Sequence, residues 1–295
     1  MLGLDVGGTK VLGVSLDDAG AVVRELKWPT PVAAGDLVDA LVSAACELAP
    51  QPSAVGIGIA GLVGRDGRIR VSPHVSQAEH LDLPGELRAA LGVPIVVEND
   101  ANVAAWGEAR AGAGRGEDDV VLVTLGTGIG TGLVVDGRLV RGAHGFAGEG
   151  GHVIVDRDGP LHVTGLPGAW EHYASGTALG ELARARGLAP SGEGLASLVG
   201  AGDAAALDTL DAYAREVAIG VADLVAVLDP AVVILAGGVS EIGEPLRARV
   251  ESHLPSLLIG AKFRSRLRIV LAELGERAGA IGAALLAADA SRPTN

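Results

Sequence analysis

The stretch Gly3-Leu4-Asp5-Val6-Gly7-Gly8-Thr9-Lys10, GLDVGGTK, runs an apolar strand into an aspartate and two glycines. Backbone N–H groups exposed at a glycine turn form a concave anion site, and a Cβ there would block the approach of a phosphate. Asp5 precedes the turn where a carboxylate can hold Mg2+ through water. Taken alone, the stretch reads as an ordinary hairpin turn, and only a second turn of the same kind favours the phosphate.

A second such turn is present. Residues 2–23 read as strand, Gly-Gly-Thr turn, strand (11–16), Asp17-Asp18-Ala19-Gly20 turn and strand (21–23). The pattern returns at 120–140, with a strand to Leu125, the turn Gly126-Thr127-Gly128-Ile129-Gly130-Thr131-Gly132, a strand to Val135, a tight Asp136-Gly137 turn and a third strand. A chain that makes this meander twice reads as internally duplicated, with both glycine turns facing one cleft.

Between the two meanders, Leu37, Val38, Leu41, Val42, Ala45 and Leu48 fall at helical spacing. Strands are expected at 54–60 and 94–97, and a helix over 101–111 started by Asn99-Asp100. The glycine- and charge-rich run 111–119 marks a domain boundary, giving domains 1–116 and 117–295. Later come a helix over 204–228, a strand at 232–235 leading to Gly237-Gly238, and a final helix from 278 to 288 expected to pack back on the first domain.

Composition narrows the function classes. With 295 residues, 48% of them hydrophobic, the chain can bury an ample core across two domains, and its 45 glycines show no fibrous period. A net charge of −13 argues against nucleic acid as a partner. The single cysteine, Cys46, makes no internal disulfide, and the longest apolar runs are too short to span a bilayer, so a cytoplasmic, membrane-free setting is expected. Two familiar nucleotide signatures fail: no G-x-x-x-x-G-K-[ST] occurs, and the G-x-G-x-x-G match at 56–61 leads into a turn-rich segment instead of a helix.

Five stretches, DVGGTK (5–10), ENDANVAA (98–105), LGTGIGTG (125–132), GEGGH (148–152) and LAGGVS (235–240), resemble in this order the motifs of the ROK family of sugar kinases. The resemblance implies an α/β, actin/hexokinase-like (ribonuclease H-like) ATPase fold, with two duplicated domains around a cleft. It also implies ATP and Mg2+ as cosubstrates, a hexose or amino-sugar acceptor, and a homodimer.

On the matching positions, Asp100 is the general base and Asn99, Glu149, His152 and Glu171 are sugar contacts. Asp5, Gly7, Gly8, Thr9, Lys10, Thr127, Gly128, Gly237 and Gly238 serve the metal and nucleotide. Each has a plainer reading: Asp100 as a helix N-cap, Glu149 and His152 as a solvated turn, Glu171 as an exposed acid at a helix start. The start of a helix is also expected to keep Asp100 ionised.

The chain departs from the family pattern twice. Where ROK kinases follow the motif His, here His152, with C-x-C-G-x-x-G-C-x-E to bind zinc, this chain has His162-Val163-Thr164-Gly165-Leu166-Pro167-Gly168-Ala169-Trp170-Glu171, so no zinc site is expected. Apolar packing by Leu161, Leu166, Pro167 and Trp170 is expected in its place. At 75–80 the usual Asn and Trp of the sugar loop are also missing. The second departure bears on the identity of the sugar more than on the reaction; the resemblance implies glucose as the leading substrate, an N-acetylhexosamine (GlcNAc or ManNAc) as the alternative, and the altered zinc loop a non-catalytic sugar binder as the reading from another class. A repressor of this family would carry a helix-turn-helix before its DVGGTK motif, which here begins almost at the first residue.

Overall fold

The structure is a computed structural model that describes residues 1–79, 81–188, 192–265 and 267–291; position 80 of the altered sugar loop lies outside the described residues. The first half runs β1 (Leu2–Val6), β2 (Lys10–Leu16), β3 (Val22–Pro29), α1 (Ala34–Leu48) and β4 (Val55–Ile59). It continues through β5 (Leu62–Val63), β6 (Ile69–Val71), α2 (Leu83–Leu91), β7 (Ile95–Asn99) and α3 (Asp100–Ala111). The second half runs β8 (Val120–Leu125), β9 (Ile129–Val135), β10 (Arg138–Leu139), α4 (Trp170–Ala174), α5 (Gly176–Ala185) and α6 (Gly192–Gly200). It closes with α7 (Ala204–Leu228), β11 (Val232–Ala236), α8 (Glu244–Leu257), β12 (Arg268–Leu271) and α9 (Ala278–Ser291).

Among the described residues the strands form two five-stranded sheets, ordered β3-β2-β1-β4-β7 and β10-β9-β8-β11-β12, and a small β5-β6 ribbon. In each large sheet an antiparallel meander is followed by two parallel strands. The duplication read from two glycine turns therefore extends to whole sheets, in an actin/hexokinase-like α/β arrangement.

Local chemistry explains where the elements begin and end. Asp136 and Gly137 both have positive φ, 51° and 67°, the pairing a type I′ hairpin needs between β9 and β10. The α7 helix starts where the Asp203 carboxylate accepts from the Ala206 N–H at 2.8 Å, and ends at Asp229 in the left-handed region. The β3 strand runs on to Pro29, six residues past the expected end at 23, paired with β2 throughout. Its charged residues Arg24, Glu25 and Lys27 break up the apolar pattern, because an edge strand has solvent on one side; past residue 23 only Leu26 and Trp28 pack on a core cluster. The short helices α2, α4, α5 and α6 are not among the expected elements.

The α9 helix settles the arrangement of the sheets. Its sequence, AGAIGAALLAADAS, is small and apolar all round, and it packs against β1, β2 and β4 on one side and α3 on the other. A Cβ on Gly3 would sit 1.8 Å from the Ala280 carbonyl oxygen, and one on Gly56 would sit 1.9 Å from that of Ala283. Gly56 begins the G-x-G-x-x-G match, so that glycine serves helix–sheet approach and has no part in a dinucleotide turn. In turn α3 lies on β8 and β9, so each sheet is covered partly by a helix from the other half of the chain.

Overpacking of a close-packed site typically costs about 1–3 kcal/mol, and Gly56→Ala is expected to lower stability by about that amount in thermal or denaturant unfolding. Gly200→Ala, where a Cβ meets nothing within 4 Å, is expected to be neutral or stabilising.

Candidate active site

Neighbouring parallel strands bring the first acids together. Asp5 of β1 stands in register with Gly58 of β4, and Gly58 with Glu98 of β7, one residue before Asn99 and two before Asp100. These are strand C-terminal ends, where open α/β sheets place their ligands. The Asp5 carboxylate lies against α9, and a Cβ on Gly279 would be 2.6 Å from its Oδ2. Burial pushes Asp5 up to about 7, the Asp100 charge adds to the effect, and Lys10 opposes it.

Asn99, not Asp100, is the helix N-cap: its Oδ1 accepts from the Asn102 N–H at 3.0 Å, while its Nδ2 donates to the Gly61 carbonyl at 3.0 Å. Asp100 is thereby free of the capping duty and accepts from the Ala101 N–H at 2.9 Å. Burial raises the Asp100 carboxyl above the usual range, against the N–H groups of Ala101 and Asp100, the His74 charge and Asn99, which favour the anion. Burial thus outweighs the N–H groups at the helix start in setting the direction of the shift.

A buried acid that sequence reasoning passed over holds this corner in place. Glu98 Oε1 accepts from the Asn99 N–H at 2.9 Å and from Asn102 Nδ2 at 3.1 Å, and Oε2 forms an ion pair with Arg141 Nε at 2.5 Å. Arg141 follows β10, so the pair ties the β7–α3 corner to the loop that leads to Glu149. Glu98 stands in ENDANVAA beside the chemistry-bearing residues, but nothing near Arg141 signalled it as a partner.

Glu149 and His152 sit at the Gly150–His152 turn, held by the Gly150 N–H donating to Thr131 Oγ1 at 3.0 Å. Burial raises the Glu149 carboxyl, and the charges of Asp100 and Glu171 raise it further, so these three acids share one field. His152 Nε2 lies 3.7 Å from Glu149 Oε2, while its Nδ1 is buried without a hydrogen-bond partner. Glu171 is part-buried in the first turn of α4, where Oε2 accepts from the Ile129 N–H at 2.7 Å and Oε1 meets His162 Nε2 at 2.8 Å. The adjacent Trp170 fixes α4 in the core, its Nε1 donating to the Glu216 carbonyl at 2.9 Å.

The glycine turns stand near these acids. The Gly7 N–H donates to the Lys10 carbonyl at 3.0 Å, and Thr30 bridges the turn by donating its hydroxyl to the Gly7 carbonyl and its N–H to that of Thr9. Lys10 Nζ points to Glu276, at 2.8 Å, just before α9. In the second turn Thr127 is exposed, and its carbonyl accepts from Thr177 Oγ1 at 2.8 Å. Gly128 gives way to an acid, since a Cβ there would be 2.2 Å from Glu171 Oε2. Gly237, with φ 83°, lies against Leu125 at the base of that turn, and the Cα of Gly238 faces open space.

The residues present do not fit a zinc ion of the family's kind. Among the described residues no group of three or more His, Cys, Asp or Glu could hold a metal. Thr164 turns its hydroxyl to His162 Nδ1 at 2.9 Å, and Ala169 has no donor. The apolar replacement expected there is also overturned: Leu161 is 73% exposed and Leu166 36%, so only Trp170 joins the core. Asp5 and Asp100 by contrast offer the hard oxygen donors that Mg2+ takes directly or through water.

The ROK family model matches residues 1–290. The glucokinase of Streptomyces coelicolor is 37% identical over 307 residues, spanning 97% of this chain and 96% of its own. The xylose repressor of Bacillus subtilis is 30% identical, spanning 98% of this chain and 77% of its own. A ROK family glucokinase from Streptomyces griseus, solved in complex with glucose and AMPPNP, superposes with a TM-score of 0.85 at 37% identity, covering 98% of this chain and 99% of that one. With the duplicated sheets and the five motifs in order, these matches have one outcome: the chain belongs to the ROK family.

Proposed function

We propose that this protein is a glucokinase, transferring the γ-phosphoryl group of ATP to glucose to give glucose 6-phosphate. The observation that carries the reading is the convergence of Asp5, Asp100, Glu149 and Glu171 beside the two glycine turns. Relatives named glucokinase and a neighbour solved with glucose and AMPPNP support it.

In this reading Asp100 accepts the proton of the attacking hydroxyl as the new O–P bond forms and the bond from the γ-phosphorus to the β-phosphate oxygen breaks. Phosphoryl transfer has a loose transition state, so positioning matters more than basicity. The Glu98–Arg141 pair and the Asn99 cap supply that positioning, and burial supplies the proton affinity. Asn99, Glu149, His152 and Glu171 receive the sugar hydroxyls, replacing the water that the sugar loses. Gly7, Gly8, Thr9, Lys10, Thr127 and Gly128 face the phosphates, and Gly237 with Gly238 the adenosine end.

Asp5 is the residue that would hold Mg2+ through water, which when bound neutralises charge on the phosphates. Residues 1–116 and 117–295 would act as two domains that close on the sugar. A homodimer in the cytoplasm, without nucleic acid or membrane, is the setting proposed; no helix among the described residues is long and apolar enough to cross a membrane.

Purified protein given Mg-ATP and a panel of glucose, mannose, fructose, N-acetylglucosamine and N-acetylmannosamine is expected to release ADP fastest with glucose. Preference for an N-acetylated sugar would move the assignment to an N-acetylhexosamine kinase, and silence across the panel to a non-catalytic binder. Asp100→Asn is expected to fold normally and lose turnover by about 10²-fold or more; near-normal turnover would remove Asp100 from the role of base.

Asp5 also predicts a pH dependence of the metal-free protein. Its carboxyl is raised from 3.8 when unfolded to about 7 when folded, so the stabilisation it gives by holding a proton is complete below 3.8 and lost as pH rises through about 7. The melting temperature of the wild type should therefore fall relative to Asp5→Asn between pH 5 and pH 8, and parallel curves would show that Asp5 titrates normally.

A further inference from the structure

The loop from Val153 to Ala169 lies between the Glu149–His152 turn and α4, where the family's metal would brace the sugar site. The loop is closed by its own backbone. The His162 N–H donates to the Leu166 carbonyl at 2.8 Å and the Gly165 N–H to that of His162 at 2.8 Å, while Leu161 pairs with Pro167 and Ile154 with Ala169. Closure of the loop does not by itself fix the side chains that face the sugar.

The His162 ring is engaged at both nitrogens. On one side are Thr164 Oγ1 at 2.9 Å from Nδ1 and the Thr164 N–H at 3.4 Å; on the other is Glu171 Oε1 at 2.8 Å from Nε2. The Thr164 N–H can only donate, so Nδ1 is the acceptor and the proton of the neutral ring sits on Nε2, aimed at the carboxylate. The other neutral tautomer would set a lone pair against Glu171. From Glu171 the connection continues through Oε2 to the Ile129 N–H at 2.7 Å, within the second glycine turn, where Gly128 leaves room for the carboxylate.

The side chain of His162 is 11% exposed and that of Glu171 21%, so this pair is screened far less than a surface one. His152, on the family's remaining metal-ligand position, sits with its ring centroid 5.4 Å from that of His162 and has no hydrogen-bond partner on its buried Nδ1.

We propose that His162, oriented by Thr164, is a positioning residue that has taken over the bracing role of the metal. In the zinc pattern the ion gathers the loop and His152. In this chain the brace moves to Glu171: Thr164 orders the His162 ring, the ring holds one carboxylate oxygen, and the Ile129 N–H holds the other. Each oxygen keeps a lone pair for a sugar hydroxyl. The sugar loop and the phosphate turn are thus joined through one carboxylate, and sugar binding needs no zinc. The inference rests on the proposed role of Glu171 as a sugar contact.

Steady-state kinetics with glucose and Mg-ATP test it, together with elemental analysis of the purified protein. At metal sites, loss of a group that orients a ligand typically costs about 10- to 100-fold; by analogy His162→Ala is expected to raise the glucose KM by about 10-fold or more, with a smaller change in kcat. His162→Gln, which keeps a donor of similar reach, is expected to recover most of the loss. Thr164→Val, which removes only the hydroxyl donor, is expected to fall between wild type and His162→Ala, and decides the question if His162→Ala fails to fold. Chelator treatment is expected to leave the glucose KM of the wild type unchanged.

An unchanged glucose KM in His162→Ala or Thr164→Val, alongside a raised one in Glu171→Gln, would overturn the bracing role while leaving the sugar contact standing. An unchanged glucose KM in Glu171→Gln would remove the contact itself. Stoichiometric zinc in the wild type would overturn the replacement of the metal.

Discussion

Backbone-to-backbone contact between α9 and the glycines of β1 and β4 is the constraint on which the rest of the structure depends. With no Cβ at Gly3 or Gly56, the helix carbonyls come within a distance that no other residue would permit. The same helix presents Gly279 to the Asp5 carboxylate, which packs that acid against the helix backbone. A large part of the site's electrostatics therefore follows from small residues on a helix nearly 280 positions away in sequence. Close approach also accounts for a composition poor in aromatics and rich in glycine, since several glycines are places where elements from the two halves of the chain touch.

Acid chemistry and packing are linked through the same geometry. Five carboxylates gathered beside the two glycine turns would be unfavourable if each were isolated and charged, and the structure treats them differently. Glu98 is paired with Arg141 and hydrogen-bonded on its other oxygen, and Glu171 is held by a backbone N–H and an imidazole. Asp5, Asp100 and Glu149 have weaker compensation and are raised by burial. Glu98, held on both oxygens, shapes the corner beside Asp100; Glu171 is held and also proposed to meet the sugar, and the three acids with raised proton affinity are those proposed to meet metal, hydroxyl and sugar. That division is what a phosphoryl-transfer site requires, where the protein contributes position and field.

Much of this was legible in the sequence. The repeated strand–glycine-turn–strand pattern exposed the duplicated sheets, because turn chemistry at the glycine turns and at Asp136-Gly137 is a local property. The α7 helix lies where the sequence predicts one, over 204–228. Asp5, Asn99 and Asp100 stood at strand ends that register then brought together. What could not be read depends on contacts distant in sequence or on a competition of energies. The edge strand β3 was cut short by its solvent-facing charges, and Arg141 gave no sign of its pairing with Glu98. Whether burial or the helix end wins at Asp100 is a matter of magnitudes that a sequence does not carry. The loss of the zinc cysteines was plain, but the replacement was misjudged as apolar packing because Leu161 and Leu166 look like core residues and the His162–Glu171 contact spans a folded loop.

The measurement that bears most directly on the account is a crystal structure of the wild-type protein with glucose and a non-hydrolysable ATP analogue. The account predicts the glucose 6-hydroxyl within hydrogen-bond reach of Asp100 and in line with the γ-phosphorus, with Glu149 and Glu171 on the other hydroxyls and the phosphates against the glycine turns. Glucose seated away from Asp100, or a nucleotide whose γ-phosphate does not face it, would contradict the account.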